Sequence, residues 1–373
     1  MKKALLISCF NWYKARLKPI RDLLIGTGYD VTVLLSDYEH ITKKTIKDRY
    51  EECTYIHVPQ YKSNMSFQRI HSHLSFGRSV GDKIKEYKPD LVYFQVPPNN
   101  IARYCMEYKS NHPDTKLIMD IIDLWPESMP LGVVKKTMLA KKWQNWRDQC
   151  IIMADHVFTE CDLYREKLNL DSGKASTLYL FKEQTEEERA LVQEIIRKKK
   201  DEATTKFAYL GSMNNIIDID GICSVLKQFT GTKNNCELHA IGDGESRELF
   251  EKSVKATGCK AVFYGPVYNE KEKIKTLAAC DYAFNMMKDT SEVGLTIKSI
   301  DYLSYGLPLI NNIKGDTWKT VDANDIGINV LPAKSIVPKK FSHEDILYFF
   351  NQHYSLDMYT NNLKEQLKHV LKN

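Results

Sequence analysis

The stretch Ser291-Glu292-Val293-Gly294-Leu295-Thr296-Ile297-Lys298-Ser299-Ile300-Asp301-Tyr302-Leu303-Ser304-Tyr305-Gly306-Leu307-Pro308-Leu309-Ile310 lies between two short apolar runs, Tyr282–Met286 and Leu309–Ile313. Short, mostly apolar runs without alternation read as strands buried on both faces. Between them the order is loop, a helix from about Thr296, a glycine at the helix end and a proline that cannot continue it. Strand, helix and strand in this order make one crossover unit of a parallel sheet. The same residues suggest chemistry. Gly294 has no side chain to keep a ligand away. A helix beginning at Thr296 has free N–H groups at its N-terminus, which suit a phosphate. Lys298 and Asp301 are three residues apart and share a helix face. A cation near the helix start suits a diphosphate, and an acid one turn later suits a ribose diol. The alternative reading is a surface helix with Gly306-Leu307-Pro308 as an ordinary helix-to-strand turn.

The pattern repeats outward. Strands are expected at Ala4–Cys9, Val31–Leu35, Tyr55–Val58, Leu91–Gln95, Leu117–Asp120, Val157–Thr159 and Thr177–Leu180, with amphipathic stretches such as Leu17–Gly26 and Phe76–Tyr87 between them. After charge runs in residues 182–203 the alternation restarts at Phe207–Leu210, Glu237–Ile241, Val262–Tyr264, Tyr282–Met286, Leu309–Ile313 and Ile328–Leu331. The expectation is an α/β protein of two doubly wound, Rossmann-like domains facing across a cleft: residues 1–181, a charged linker or helix at 182–203, residues 204–345, and C-terminal helices at 346–373 free to return to the first domain. In open α/β sheets, ligands bind beyond the carboxyl ends of the strands.

Composition limits the function classes. Of 373 residues, 43% are hydrophobic and 27% charged, which excludes a disordered or coiled-coil chain. The net charge of +5 is mild, but residues 1–185 carry +6 and the remainder −1. The first half thus points to an anionic partner, though too weakly for nucleic acid. Nine cysteines are spread singly without CxxC spacing, which favours reduced thiols in a cytosol over a disulfide framework or zinc site. Met1–Phe10 reads as a buried first strand rather than a signal peptide, and no apolar run reaches the ~18 residues of a membrane span. His71-Ser72-His73 reads as a polar loop rather than a metal site. Residues 131–147 interleave lysines and Arg147 with apolar and aromatic groups. On a helix they would suit an anionic bilayer surface; the alternative reading is an amphipathic helix packed on the first domain with its lysines in water.

The 291–310 stretch resembles the donor-site signature of retaining GT-B glycosyltransferases, family four, written E-x-x-G-L-P-x-K-x-x-E-Y-x-A-x-G-x-P-x-I. Gly294, Leu295, Lys298, Tyr302, Gly306, Pro308 and Ile310 match in register. Asp301 stands at the second Glu, which in the family binds the donor ribose. The first, which contacts the sugar, falls at Ser291, one position before Glu292. Other elements resemble the family in chain order: Phe207–Gly211 with Ser212, His239-Ala240-Ile241-Gly242-Asp243-Gly244-Glu245, Phe263-Tyr264-Gly265-Pro266-Val267 where the nucleotide base packs, and Ala278–Tyr282. Where many members carry a basic pair for the diphosphate, this chain has Ser212 and Ile217. Lys298, the Gly211–Asn214 backbone and the helix start at Thr296 would then do more of that work.

Asp120-Ile121-Ile122-Asp123-Leu124-Trp125-Pro126-Glu127-Ser128 resembles the family's acceptor-side element, with Ile122 where a histidine is common. Asp123 and Glu127 remain as acids able to accept the acceptor's hydroxyl proton, Asp123 being better placed. Trp125, Asn11 and Trp12 would line the acceptor side. The resemblance implies transfer of a sugar, with retention, from a nucleotide sugar (UDP first) to a hydroxyl of a glycan or lipid-linked glycan. The setting would be cell-surface polysaccharide synthesis in the cytoplasm, with peripheral contact at the inner membrane face through 131–147. No metal or cofactor is expected. Asp123, Glu292 and Lys298 are the catalytic candidates. A silent subunit that stabilises an active partner and a nucleotide-sugar epimerase are the alternatives. A dinucleotide oxidoreductase is disfavoured, because no GxGxxG follows the first strand.

Overall fold

The computed structural model describes the chain except residues 11–12, 65, 130–136, 200–203, 231–234, 290–291, 332–335 and 373. It divides into two compact units, Met1–Leu180 with Thr360–Asn373, and Phe181–Tyr359. The charged stretch after residue 181 therefore belongs to the second unit. Its helix Glu186–Lys198 is fixed by a capping box between Thr185 and Glu188 and buries Val192 and Ile196.

The first unit is built on β1 (Lys2–Ser8), β2 (Tyr29–Ser36), a small antiparallel hairpin of β3 (Tyr38–Glu39) and β4 (Lys44–Thr45), β5 (Cys53–Ile56), β6 (Leu91–Val96), β7 (Lys116–Ile121), β8 (His156–Thr159) and β9 (Ala175–Thr177). Seven of these form a parallel sheet in the order β5-β2-β1-β6-β7-β8-β9. The strand order turns back between β1 and β6, and every residue of β6 is buried. The sequence places β9 two residues late and does not show the hairpin, whose strands are only two residues long.

Two buried arginines lock this unit. Arg16, on the π-helical turn Tyr13–Leu17, forks onto Asp120 of β7 at 2.7 and 2.6 Å and donates to the Leu178 carbonyl. Tyr93 and Gln95 of β6 donate to the same carboxylate. Arg147, fully buried, forks onto Glu127 at 2.8 and 2.7 Å. This corrects the reading of Arg147 as part of a basic outer face, because Glu127 draws it inward. Lys141 and Lys142 are exposed on the helix Met138–Met153. The rest of that basic stretch, 131–136, lies outside the described residues.

A second correction concerns His71-Ser72-His73. They lie not in a loop but in the helix Phe67–Tyr87, whose N-cap Ser66 accepts from the Arg69 N–H. Arg69, His73, Phe76, Val80 and Ile84 are buried along it at helical spacing. Polar residues at the first two of these positions hid the helix start.

The second unit has six parallel strands: β10 (Thr204–Leu210), β11 (Asn235–Ile241), β12 (Lys260–Gly265), β13 (Tyr282–Asn285), β14 (Leu309–Asn311) and β15 (Gly327–Asn329). Their order is β12-β11-β10-β13-β14-β15, so the order turns back between β10 and β13. An aromatic core of Phe207, Phe229, Tyr282 and Phe284 packs on this sheet. Among the described residues, all nine cysteines are free and no helix is long and apolar enough to cross a membrane.

Candidate active site

In the second unit the chain passes from β10 and β11 through two glycine turns that touch. Gly211 has φ +125° and Gly242 φ +141°, backbone that side-chain-bearing residues rarely adopt. A Cβ on Gly242 would lie 1.9 Å from the Gly211 carbonyl oxygen. The turns are laced together: Gly211 N–H donates to Ile241 O at 3.0 Å, Gly242 N–H to Gly265 O at 2.9 Å, and Met213 N–H to Asp243 O at 2.9 Å. The carboxyl edge of β10–β12 is thus bare backbone. Ser212 and Asp243 stand exposed on it, and Val267 is half-buried beyond β12. Arg247, which sequence reasoning did not single out, reaches within 3.8 Å of the Cβ position of Gly265. Ile217 is buried in the core, so no cation replaces the missing basic pair at its position.

Across the turning point, Thr296 caps the helix Ile297–Ser304. Its Oγ1 accepts from Ser299 N–H at 3.2 Å and donates to Asn285 Oδ1 at 2.7 Å. Asn285 in turn donates to Asn311 at 2.9 Å, and Asn311 to Asn329 at 2.7 Å. These three asparagines are paired in register at the ends of β13, β14 and β15. The ladder fixes the helix start beside the strand ends. Tyr302 completes the fixation by accepting from Leu210 N–H at 2.6 Å. Sequence reading missed the ladder, although each of the three expected strands contains one of these asparagines.

Lys298 lies on the first turn of this helix. Its Nζ sits 5.3 Å from the Tyr209 ring centroid, and its Cδ is 4.0 Å from the Cβ position of Gly211. It is half-buried, and among the described residues it has no hydrogen-bond or ion-pair partner. Burial pushes its ammonium down to about 8. The structure therefore brings Lys298, Thr296 and the Gly211 turn together. Asp301 is engaged elsewhere, since Lys182 binds it together with Glu270, and Tyr305 donates to Glu270. Burial works against ionisation of Glu270, but Lys182, Lys273 and Tyr305 outweigh it and hold the carboxyl at about 2. Gly294 and Leu295 are buried, the Gly294 carbonyl accepting both the amide and the hydroxyl of Thr317. Glu292 is half-buried on the loop before them, and Ser291 lies outside the described residues.

In the first unit, Asp123 follows β7. It accepts from Trp125 Nε1 at 2.7 Å, from the Ser128 hydroxyl and from Tyr164 at 3.4 Å. Burial nevertheless pushes its carboxyl above the usual range. Glu127 is tied bidentately to Arg147 and is a structural partner rather than a free base. The acid that sequence reasoning missed is Glu160, the residue directly after β8. Burial raises its carboxyl to about 8, Arg16 opposes this, and Asp123 and Asp120 add to it. Its carboxyl has no hydrogen-bond partner among the described residues. The signal was an acid immediately after an apolar strand. Asn11 and Trp12 lie outside the described residues.

Two parallel-sheet, Rossmann-like units of this kind are the GT-B fold, and the chain has it. Among solved structures it is similar to a glycosyltransferase from Rickettsia africae ESF-5, with TM-score 0.63, 12% identity, and 100% and 99% of the two chains covered. It is also similar to the lipopolysaccharide outer core galactosyltransferase WaaB, with TM-score 0.60, 15% identity, and 98% and 99% covered. A third is WaaG, a glycosyltransferase involved in lipopolysaccharide biosynthesis, with TM-score 0.56, 14% identity, and 97% and 94% covered. No family model and no curated protein matches the sequence.

Proposed function

We propose that the chain is a glycosyltransferase that moves a sugar, with retention, from a nucleoside diphosphate sugar to a hydroxyl of a glycan or lipid-linked glycan. UDP is the first candidate base carrier. The observation that carries the reading is Lys298: a half-buried ammonium with no anionic partner among the described residues, beside a capped helix start and a bare glycine turn. These are the parts a diphosphate needs.

In this reading the first-turn N–H groups and Lys298 hold the diphosphate and stabilise its charge as the sugar–phosphate bond breaks. No metal is needed for that step. The acceptor oxygen bonds to the anomeric carbon, and its proton passes to the departing phosphate on the same face. Asp123 and Glu160 are the first-unit acids available to orient that hydroxyl. Glu270 is a second partner for Lys182, so Asp301 can turn to the ribose diol while Lys182 stays paired. The likeness to lipopolysaccharide enzymes supports a role in cell-surface polysaccharide synthesis, in the cytoplasm. The exposed Lys141 and Lys142 offer peripheral contact with an anionic inner membrane face.

The test is thermal shift against UDP-, GDP-, dTDP- and CMP-sugars and the free nucleotides, for the wild type, Lys298→Ala and Asp301→Asn. A ligand at 100 times its dissociation constant adds about 2.7 kcal/mol. One nucleotide family should stabilise the wild type and not Lys298→Ala. If none binds, the donor reading fails. If a nucleotide sugar binds but is never turned over, the silent-subunit reading replaces it. That second reading is favoured by Ser212 and Ile217 at the places of the basic pair.

A further inference from the structure

The first unit gathers Phe10, Tyr61, Arg69, His73 and Trp125 from four segments, Arg69 and His73 being one turn apart on the same helix. The Phe10 ring lies 5.8 Å from His73 and 6.1 Å from Trp125, and His73 lies 5.9 Å from Trp125. The Arg69 guanidinium sits 4.6 Å from the Trp125 ring and 5.9 Å from the Tyr61 ring. Phe10 follows β1 and Trp125 follows β7, which places the cluster at the carboxyl end of the sheet, where ligands bind in such folds.

Three buried nitrogens of this cluster, Arg69 Nε and both ring nitrogens of His73, have no hydrogen-bond partner among the described residues. Arg69 is only 8% exposed. Its Nη1 donates to the Asn64 carbonyl at 3.0 Å, its Nε is buried without a partner, and it makes no ion pair among the described residues. His73 is 2% exposed, and neither ring nitrogen has a partner. Lys43 adds a second cation, 4.9 Å from the Tyr61 ring, with its ammonium on the His40 carbonyl and Asn64 Oδ1. Asp123 is the carboxylate that acts on Arg69, but its oxygens already serve Trp125, Ser128 and Tyr164.

The contrast within the same unit is sharp. Arg16 and Arg147 are also buried, and each is forked onto a carboxylate. A buried cation without a counter-charge is costly to hold. Burial and the neighbouring cations Arg69 and Lys43 also keep His73 neutral, so it has one N–H to give and adds no repulsion toward Arg69.

We propose that Arg69, His73 and Lys43 form an oxyanion site, so that the acceptor of this glycosyltransferase carries a phosphate ester or a carboxylate rather than being a neutral glycan. Arg69 supplies the planar fork that matches either oxyanion. His73 supplies one N–H from the side, and Trp125 and Phe10 form the apolar wall against which the rest of the acceptor lies. The inference rests on the reading that the first unit holds the acceptor.

The experiment is equilibrium titration at fixed ionic strength, followed by tryptophan fluorescence, since Trp125 lies against Arg69. Inorganic phosphate and glucose 6-phosphate form one arm and acetate the other, which separates a phosphate site from a carboxylate site. All samples carry Lys298→Ala, so that anions at the donor site do not contribute. Saturable binding in at least one arm is expected, weakened about tenfold or more by Arg69→Met, the scale of a lost charge-assisted fork. The free Arg69→Met protein should melt no lower than its parent, because an apolar chain replaces an unpaired charge.

The proposal is overturned if no anion binds, if Arg69→Met binds unchanged, or if that variant folds but melts lower. Should Arg69→Met not fold, Arg69→Lys keeps a charge but loses the fork, and equal phosphate binding by it overturns the proposal as well. Anion binding without nucleotide binding in the donor test would leave this site standing and remove the glycosyltransferase reading. Nucleotide binding without anion binding would do the reverse.

Discussion

At the carboxyl end of β10–β15 the candidate site is made of backbone and short uncharged groups: two touching glycine turns, a capped helix start, three asparagines in register and one ammonium. At the carboxyl end of β1, β7 and β8 it is made of long side chains. There Asp123, Glu160, Arg69, His73 and Trp125 converge from three segments, several with raised or unmet polar demands. Bare backbone suits a ligand part that never changes, such as a diphosphate. Side chains held in a buried, partly unsatisfied state suit a part that must be distinguished and have a proton moved. The pairing follows the same division. The second unit leaves Lys298 without a hydrogen-bond or ion-pair partner among the described residues, whereas the first commits Arg16 and Arg147 to structure and leaves Arg69 over.

If that division is right, the units break differently. The largest effect is expected from Asp120→Ala, which strands the fully buried Arg16 that it holds by two bonds. Removing one partner of a buried pair costs about 3–5 kcal/mol. Chemical denaturation should show an early transition for the first unit, and nucleotide stabilisation of the second should survive. Gly242→Ala should act in the opposite place. Its φ of +141° and the 1.9 Å approach to Gly211 O admit no Cβ. The strained backbone costs about 1–3 kcal/mol. The variant should lose nucleotide stabilisation while phosphate binding at Arg69 is retained.

The pH dependence sharpens the comparison, because the two sites carry shifts that act with opposite slopes. Glu160 holds its proton up to about 8 in the folded chain, above its ordinary 4.5. Between those values the folded state binds more protons than the unfolded at this group, so Glu160 gives the first unit a falling stability slope, clearest above about 6.5, where His40 and His156, both lowered to about 4, no longer oppose it. Glu160→Gln should flatten that slope. Lys298 is the reverse, lowered to about 8 from 10.5. From about 8 to 10.5 the unfolded chain binds the extra proton at this group, so the contribution of Lys298 to the second unit's stability rises with pH. Nucleotide affinity should fall over the upper range as the ammonium is lost, and Lys298→Met should abolish both trends. Slopes left unchanged by Glu160→Gln and by Lys298→Met would contradict the assignment.

The same difference explains what the sequence made legible. The strands of both sheets, the helix after Thr296, Lys298 and the glycine turns are local patterns within twenty residues, set by apolar runs, caps and positive φ. The oxyanion cluster has no local pattern. His73 looked like a polar loop residue, and Arg69 did not stand out, because one sequence cannot show that Trp125, more than fifty positions on, covers them. Glu127 looked like a base because its partner Arg147 read as a surface charge. Asp301 looked free because Lys182 is over a hundred residues away. Charges are legible by type in a sequence, but whether each is spent on a partner is decided by tertiary contacts.

Thr296 gives the smallest and most discriminating expectation. Its hydroxyl does two things at once: it accepts the Ser299 amide, as any N-cap does, and it donates to Asn285, the first asparagine of the buried ladder. If the helix start is held in place chiefly by its cap, Thr296→Ala costs about 1 kcal/mol of stability and nothing more. If the ladder positions the helix start for the diphosphate, the same substitution also leaves Asn285 Oδ1 short of a donor, and nucleotide binding weakens beyond the stability loss. Thr296→Ser keeps both bonds and should restore both quantities. Asn311→Ala then separates the two roles, since it leaves the cap intact and removes the acceptor that orients Asn285. Nucleotide affinity falling in Asn311→Ala with the helix still capped would show that the site depends on the neighbouring strands as well as on the motif that first revealed it.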